Sequence, residues 1–255
     1  MAPTSRPLAR LAPARLAVLL ALVLPGGVRA QTAPPDTTAR RFGTSVALAL
    51  LLTEDGLGAG AGARTALTPD LSFAFETSVG AARDEREQQF FVGLFGETVT
   101  PLKRNYAVLV PLHVGLETRL FRRQVEDNFR PFASLTLGPT LGVQWPYFED
   151  TDGDGIRARG EQRLGPFAGL GEAKLRLGAG GTLALGVAVG STDRAAQSLR
   201  FGFTGHVFPA EIDLLELDPE IESPSQRFFW TPTVSFHVVR LFQPRGRAGV
   251  PRAGE

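Results

Sequence analysis

The sequence contains no cysteine, so a disulfide scaffold, a thiolate metal site and a cysteine nucleophile are all excluded. It has no dominant charge either. Lys+Arg number 27 against 26 Asp+Glu, which argues against nucleic acid as the main partner. After Ala30 there is no run of eighteen apolar residues, so a helical membrane protein is excluded. No segment shows a convincing helical period. Three scattered histidines do not make a zinc site. Disorder of the whole chain is excluded by 43% hydrophobic residues against 21% charged.

What is present begins with an export signal. Arg6, Arg10 and Arg15 form a positive start with no acid, and Leu16 to Leu24 is an unbroken apolar run. Pro25, Gly26 and Gly27 break the run, and Val28-Arg29-Ala30 reads as a cleavage site. Residues 1–30 are therefore expected to be a signal peptide, and 31–40 a flexible lead-in. Cleavage removes four arginines and no acid, leaving 23 basic residues against 26 acidic ones, a net −3.

From Arg41 the dominant signal is alternation, the mark of strands with two unlike faces. In Tyr106–Phe121 the even positions Val108, Val110, Leu112, Val114 and Leu116 form an apolar stripe; the odd ones include His113, Gly115, Glu117 and Arg119. Arg130–Trp145 and Phe228–Phe242 repeat the pattern. Phe42–Thr53, Leu57–Leu67, Leu71–Ala81, Gly165–Gly178 and Thr182–Ser191 complete eight predicted strands. Arg200–Phe208 also alternates and reads as an extension above the barrel, which leaves His206 in a loop. A ten-strand alternative uses Gln89–Gly96 as a further crossing.

Alternation alone does not say which face is inside. The less apolar face is mainly Gly, Ala, Ser and Thr with a few charges of both signs, which suits the cramped interior of an eight-strand barrel. The apolar face then meets lipid. The spacing predicts an all-β fold: a closed, antiparallel, up-and-down transmembrane β-barrel over residues 41–242, with a polar tail at 243–255. Short turns at Thr68–Asp70, Arg122–Asn128 and Ala179–Gly181 fall on one side, and the segments 82–105, 146–164 and 192–227 on the other. The inward charges Glu76, Glu117 and Glu172, set against Arg119, Arg130, Lys174 and Arg176, with His113 nearby, are expected to form a lumen network, because unpaired buried charge is costly.

The architecture, with the passage Leu120-Phe121 … Asp127-Asn128-Phe129-Arg130-Pro131-Phe132, resembles the small outer-membrane β-barrel family of Gram-negative bacteria (OmpA/OmpX/OmpW type). The resemblance implies an outer-membrane location, contact with outer-membrane lipid and lipopolysaccharide, and a monomeric, non-enzymatic protein. Phe242 resembles the terminal aromatic residue that such barrels use as an assembly signal, although here a tail follows it. The alternatives are transport of a small or hydrophobic solute and a soluble lipocalin-like carrier. A lipid hydrolase using Ser235 and His237 ranks last.

One loop carries a ligand motif. Asp150-Thr151-Asp152-Gly153-Asp154-Gly155, followed by Glu161, fits the calcium-loop pattern, with the Ile156 carbonyl as a further donor. Arg157 and the flanking strands depart from that pattern. Two readings stand: a bound Ca²⁺ that stiffens the loop, and a solvated acidic turn.

Overall fold

A computed structural model describes residues 44–242, apart from 85, 88–89, 93–96, 126–128, 159, 191–194 and 217–224. The expected signal peptide, lead-in and polar tail lie outside the described residues, as does Asp127-Asn128. Ten strands are formed: β1 (Thr44–Thr53), β2 (Gly56–Ala66), β3 (Leu71–Ala82), β4 (Phe90–Val92), β5 (Glu97–Val99), β6 (Asn105–Arg119), β7 (Phe129–Pro146), β8 (Lys174–Val189), β9 (Ala195–Asp213) and β10 (Ser225–Phe242). Eight of them close a ring in the order β1-β10-β9-β8-β7-β6-β3-β2. Every neighbouring pair is antiparallel, so the ring has no free edge. Among the described residues, strands β4 and β5 pair only with each other. The ten-strand alternative is thereby overturned: of its extra crossing, the described Phe90–Val92 pairs with Glu97–Val99 outside the ring.

The faces follow the sequence pattern. On β1, Leu48 is 72% exposed and Ala47 only 3%. Leu112, Val114 and Leu116 of β6 face outward, while Ala107, Leu109 and His113 are buried. On β7, Leu135 and Leu137 face outward and Ser134, Thr136 and Thr140 inward. Phe228, Trp230 and Val238 of β10 are exposed, whereas Ser235 and His237 are buried. The barrel is apolar outside and small or polar inside, the inverse of a soluble carrier.

Two elements differ from expectation. Residues 165–178 and 182–191 do not form two strands joined by a turn at Ala179–Gly181. A 3-10 helix occupies Ala168–Glu172, and one continuous strand, β8, runs through the expected turn. The glycines there serve close packing instead of chain reversal. A Cβ on Gly178 would collide with the Val207 carbonyl oxygen, and one on Gly180 with the His206 ring. The eighth strand is β9, which includes Arg200–Phe208 and carries His206 on its inward face. The ring thus has the expected eight strands, with β8 continuous where a turn is expected and β9 a full member of the wall.

The two rims are unlike. At the rim where β1 begins and β10 ends, the connections are 67–70, 120–128 and 190–194. At the far rim they are the turn Glu54-Asp55 and the segments 83–104, 147–173 and 214–224. Strand length is uneven as well: β1, β2 and β3 have 10, 11 and 12 residues, while β6 to β10 have 15 to 19. Ten residues at about 3.3 Å each, tilted about 40°, rise roughly 25 Å, the height of the apolar band of such barrels. The longer strands extend past that band at the far rim.

Candidate functional site: the lumen and the far rim

Four inward side chains bar the lumen. Arg64 donates from Nε to Glu117 at 2.8 Å and from Nη2 to Glu76 at 3.0 Å. Arg200 donates from Nη1 to Glu76 at 2.5 Å and from Nη2 to Glu117 at 3.0 Å. Each arginine thus bridges both carboxylates, and each carboxylate accepts from both arginines. Strand alternation delivers the four to one level: Glu76 lies opposite Gly62 and His113, Glu117 opposite Ser72 and Ser134, and Arg200 opposite Gly186 and Ser235. Phe132 lies under Arg200, with the guanidinium carbon 4.9 Å from the ring centre. The set is balanced, two charges of each sign, as a low-dielectric interior requires.

Above and below the quartet the lumen is hollow. A cavity of about 110 Å³ lies on the far-rim side and one of about 100 Å³ on the other. Arg119 and Arg130 line the second, beside Arg64, Glu117 and Arg200. All three histidines line the first. His206 Nδ1 lies 2.9 Å from Thr140 Oγ1, and the His113 and His206 rings are 5.9 Å apart. His237 Nε2 lies 2.9 Å from Ser235 Oγ, and its Nδ1 has no hydrogen-bond partner. Among the described residues no acceptor meets His237 Nδ1, and both Ser235 and His237 face the lumen.

Apolar side chains pack inside the far end of the lumen. Phe208, Ile212, Leu214 and Phe229 form an apolar cluster with Ala82, Ala107 and Leu109. Residues 214–216 cross to the start of β6, where Arg104 N donates to Leu214 O at 2.8 Å and Glu216 N to Leu102 O at 2.7 Å. Beside this plug, Lys103 Nζ pairs with Glu87 at 2.5 Å and lies 5.5 Å from the Tyr106 ring centre. Asp84 reaches Gln226 of β10, accepting its amide at 2.6 Å.

Of the charges expected in the lumen network, Glu76 and Glu117 stand in the quartet. Arg119 and Arg130 stand in the cavity below it. Arg176 faces inward much nearer the far rim, opposite Gly142. Glu172 ends the 3-10 helix and Lys174 starts β8, and both are exposed at the far rim, away from the quartet. Arg64 and Arg200 are the two members that the sequence reading missed.

In the Asp-rich loop, carboxylate oxygens of Asp150, Asp152 and Asp154 lie within 4.8 Å of one another. Asp150 accepts the backbone N–H of Gly153 and of Gly155, and Asp154 that of Ile156. Both glycines have positive φ, 79° and 76°, which the tight loop needs. Glu161 is not gathered with the three aspartates. Hydrogen bonds from the backbones of Thr151 and Ala158 and from the Thr151 hydroxyl hold its carboxyl below the usual range.

At the β1–β2 turn, burial, with Glu54 beside it, pushes the Asp55 carboxyl up to about 6. The backbone N–H and charge of Arg83 oppose this, and Glu87 adds to it. A raised folded-state value means that the fold favours the protonated form. The penalty is present in full above pH 6 and falls away as pH drops toward 3.8. Asp55→Asn is therefore expected to stabilise the barrel at pH 7.5 and to leave it unchanged at pH 3.5 relative to wild type. Urea midpoints at the two pH values check this.

The closed ring, its apolar outer face and its barred polar lumen define the class: an eight-stranded antiparallel transmembrane β-barrel. No family model matches the chain, and no curated protein matches it. Among solved structures, it is similar to the N-terminal β-barrel domain of Pseudomonas aeruginosa OprF at 10% identity, covering 78% of this chain and 98% of that one, with a TM-score of 0.35. It is similar to Neisserial surface protein A at 11% identity, with 78% and 94% covered and a TM-score of 0.36. It is also similar to Ail, the attachment invasion locus protein of Yersinia pestis, at 8% identity, with 78% and 96% covered and a TM-score of 0.38.

Proposed function

We propose that this chain is an integral outer-membrane protein that presents its far rim to the medium and performs no catalysis. The observation that carries this reading is the apolar belt around a lumen barred by ion pairs. Such a surface needs lipid, and such an interior leaves the elaborated rim as the working part. The rim with short turns then faces the periplasm, and lipopolysaccharide surrounds the long strands. The test is recovery of the native chain in outer-membrane fractions, with a gel band whose mobility shifts on boiling. Recovery as a soluble periplasmic protein would overturn the proposal.

Passage of a small solute is a second reading, favoured by the two cavities that flank the quartet. It predicts that Glu117→Gln raises single-channel conductance in planar bilayers. Unchanged, negligible conductance in both proteins removes it.

The Asp-rich loop adds a cation to the outward face. Three carboxylates and a positive-φ turn suit a hard ion, and millimolar external calcium would fill even a weak site. Calcium is expected to slow proteolysis within 147–173 several-fold over chelator. Asp152→Asn is expected to abolish that difference. Equal cleavage with calcium and with chelator removes the ion from the reading.

A further inference from the structure

We propose that the far-rim half of the lumen is a binding pocket for a small organic ammonium, a cation with a short apolar tail. All three histidines of the chain line this cavity of about 110 Å³, although they come from β6, β9 and β10. It runs from the quartet to Thr53 and Asp55 at the β1–β2 turn, beside the shortest strands of the ring. A dry cavity of about 150 Å³ takes benzene, so this one suits a molecule of about five non-hydrogen atoms.

The floor of the pocket carries an acceptor that the quartet leaves over. Both arginines bond Glu76 through the same oxygen, Oε1, so among the described residues its Oε2 accepts nothing. The Glu76 side chain keeps 20% of its surface open. Glu76 lines this cavity, whereas Glu117 lines the one beyond the quartet. His113 lies opposite Glu76 in the β3–β6 register, and the His206 ring is 5.9 Å from that of His113. Each imidazole offers one nitrogen to the hollow. His206 meets Thr140 through Nδ1, which leaves Nε2. His113 has its Nε2 sealed in the wall, which leaves Nδ1. Three polar atoms therefore open on one space, and no described residue bonds them.

The sign of the ligand follows from which charges are already engaged. Three charged residues line the cavity: Asp55, Glu76 and Arg200. Arg200 gives Nη1 to Glu76 and Nη2 to Glu117, and its Nε is sealed. Asp55 forms no ion pair among the described residues. Carboxylate thus remains at the floor and at the mouth, while the one arginine is occupied. An anion would meet acids at both ends. An ammonium finds an acceptor in Glu76 Oε2 and imidazole nitrogens beside it, and charge-assisted bonds are the strong ones. The tail follows from the walls. Gly58, Gly60 and Gly80 leave one side bare of side chains, and Ala49, Leu51 and Leu109 add hydrocarbon. A pre-formed, mainly apolar hollow with a few placed polar groups is an ordinary ligand site.

The histidines supply the readout, since isotope-labelled histidine gives imidazole signals from this pocket alone. The full chain, folded in an uncharged detergent at pH 7.5, is titrated with n-butylammonium, and separately with butan-1-ol, butyrate and methylammonium. The expected result is a saturable shift of the His113 and His206 signals, with n-butylammonium binding about tenfold tighter than each of the others. Gly80→Leu fills the hollow from a position where an added Cβ meets nothing within 4 Å, and is expected to abolish the shift. Glu76→Gln is expected to weaken binding about tenfold. Glu117→Gln removes the same charge from the quartet on its other side and is expected to leave binding unchanged. Each variant is first checked for heat-shifted mobility, and Gly80→Leu decides the matter if Glu76→Gln does not fold. Binding is read on the folded chain, so the result is separate from passage through the quartet. No saturable shift overturns the proposal. So do butan-1-ol binding as tightly as n-butylammonium, unaltered affinity in Gly80→Leu, and equal weakening by the two glutamine variants.

Discussion

Replacing Arg200 by Met is expected to lower the unfolding free energy of the barrel by about 3 kcal/mol, because it strands two carboxylates on a single arginine. Arg200 is 4% exposed and bonds both Glu76 and Glu117, so its loss leaves those acids facing each other across Arg64 alone. The double variant Arg200→Met/Glu76→Met removes one charge of each sign and is expected to recover most of the loss, since a balanced pair, Arg64 with Glu117, remains. Urea titration in lipid vesicles, read by the heat-sensitive gel mobility, compares the three proteins. If the single and double variants have the same midpoint, the quartet contributes only packing. Should the single variant fail to fold at all, a double variant that folds carries the same conclusion.

Adding one methyl group at Gly115 or Gly138 is expected to hinder ring closure. A Cβ on Gly115 would collide with the Leu135 carbonyl oxygen on β7, and one on Gly138 with the Leu112 carbonyl oxygen on β6. In both cases the obstacle is backbone, which a side-chain rotation cannot clear. The strands must separate, at a cost of about 1–3 kcal/mol each or more. Nearby pairing leaves little margin: the register passes from Pro111↔Thr140 directly to Val114↔Leu137, and proline at 111 offers no N–H. Gly80→Ala is the control, since nothing lies within 4 Å of its added methyl. Gly115→Ala and Gly138→Ala are expected to reduce the folded fraction strongly, while Gly80→Ala leaves it unchanged. Equal yields in all three would show that β6 and β7 are free to part.

The periodicity of the sequence was enough to orient most of the wall. A strand with lipid on one side and a packed lumen on the other has two chemically distinct faces, and Tyr106–Phe121 displays them without ambiguity. The chain was harder to read where small residues serve both faces. Gly178-Ala179-Gly180-Gly181 looks like a turn because glycine permits reversal, yet here it permits β8 to approach β9. The same ambiguity hid half of the quartet. Arg64 sits at the inward parity of the Gly/Ala-rich β2, and Arg200 at the inward parity of a segment read as lying above the membrane. A lone arginine among small residues of matching parity, Gly62 and Ala66 for Arg64 and Ser198 and Gly202 for Arg200, is the available signal. The rim is legible only in part: the spacing puts long connections on one side, but not which side chains meet there. The charges at 104, 150, 172, 174 and 213 come from four separate stretches, which the pairing of Gln144 with Lys174 and the crossing of 214–216 to residues 102–104 bring to one rim.

The uneven wall has a consequence for how anything meets this protein from outside. In the proposed orientation, with the far rim outward, β1 to β3 end near the lipid surface and β6 to β10 stand above it, so the exposed part is a parapet along one side of the ring. A visitor approaching across the β1–β2 turn arrives at membrane level, whereas one approaching over β7 and β8 meets folded protein first. Contact is thereby handed a direction as well as a place. Two such molecules side by side in one membrane present different neighbours with different faces, according to how each is turned about the bilayer normal.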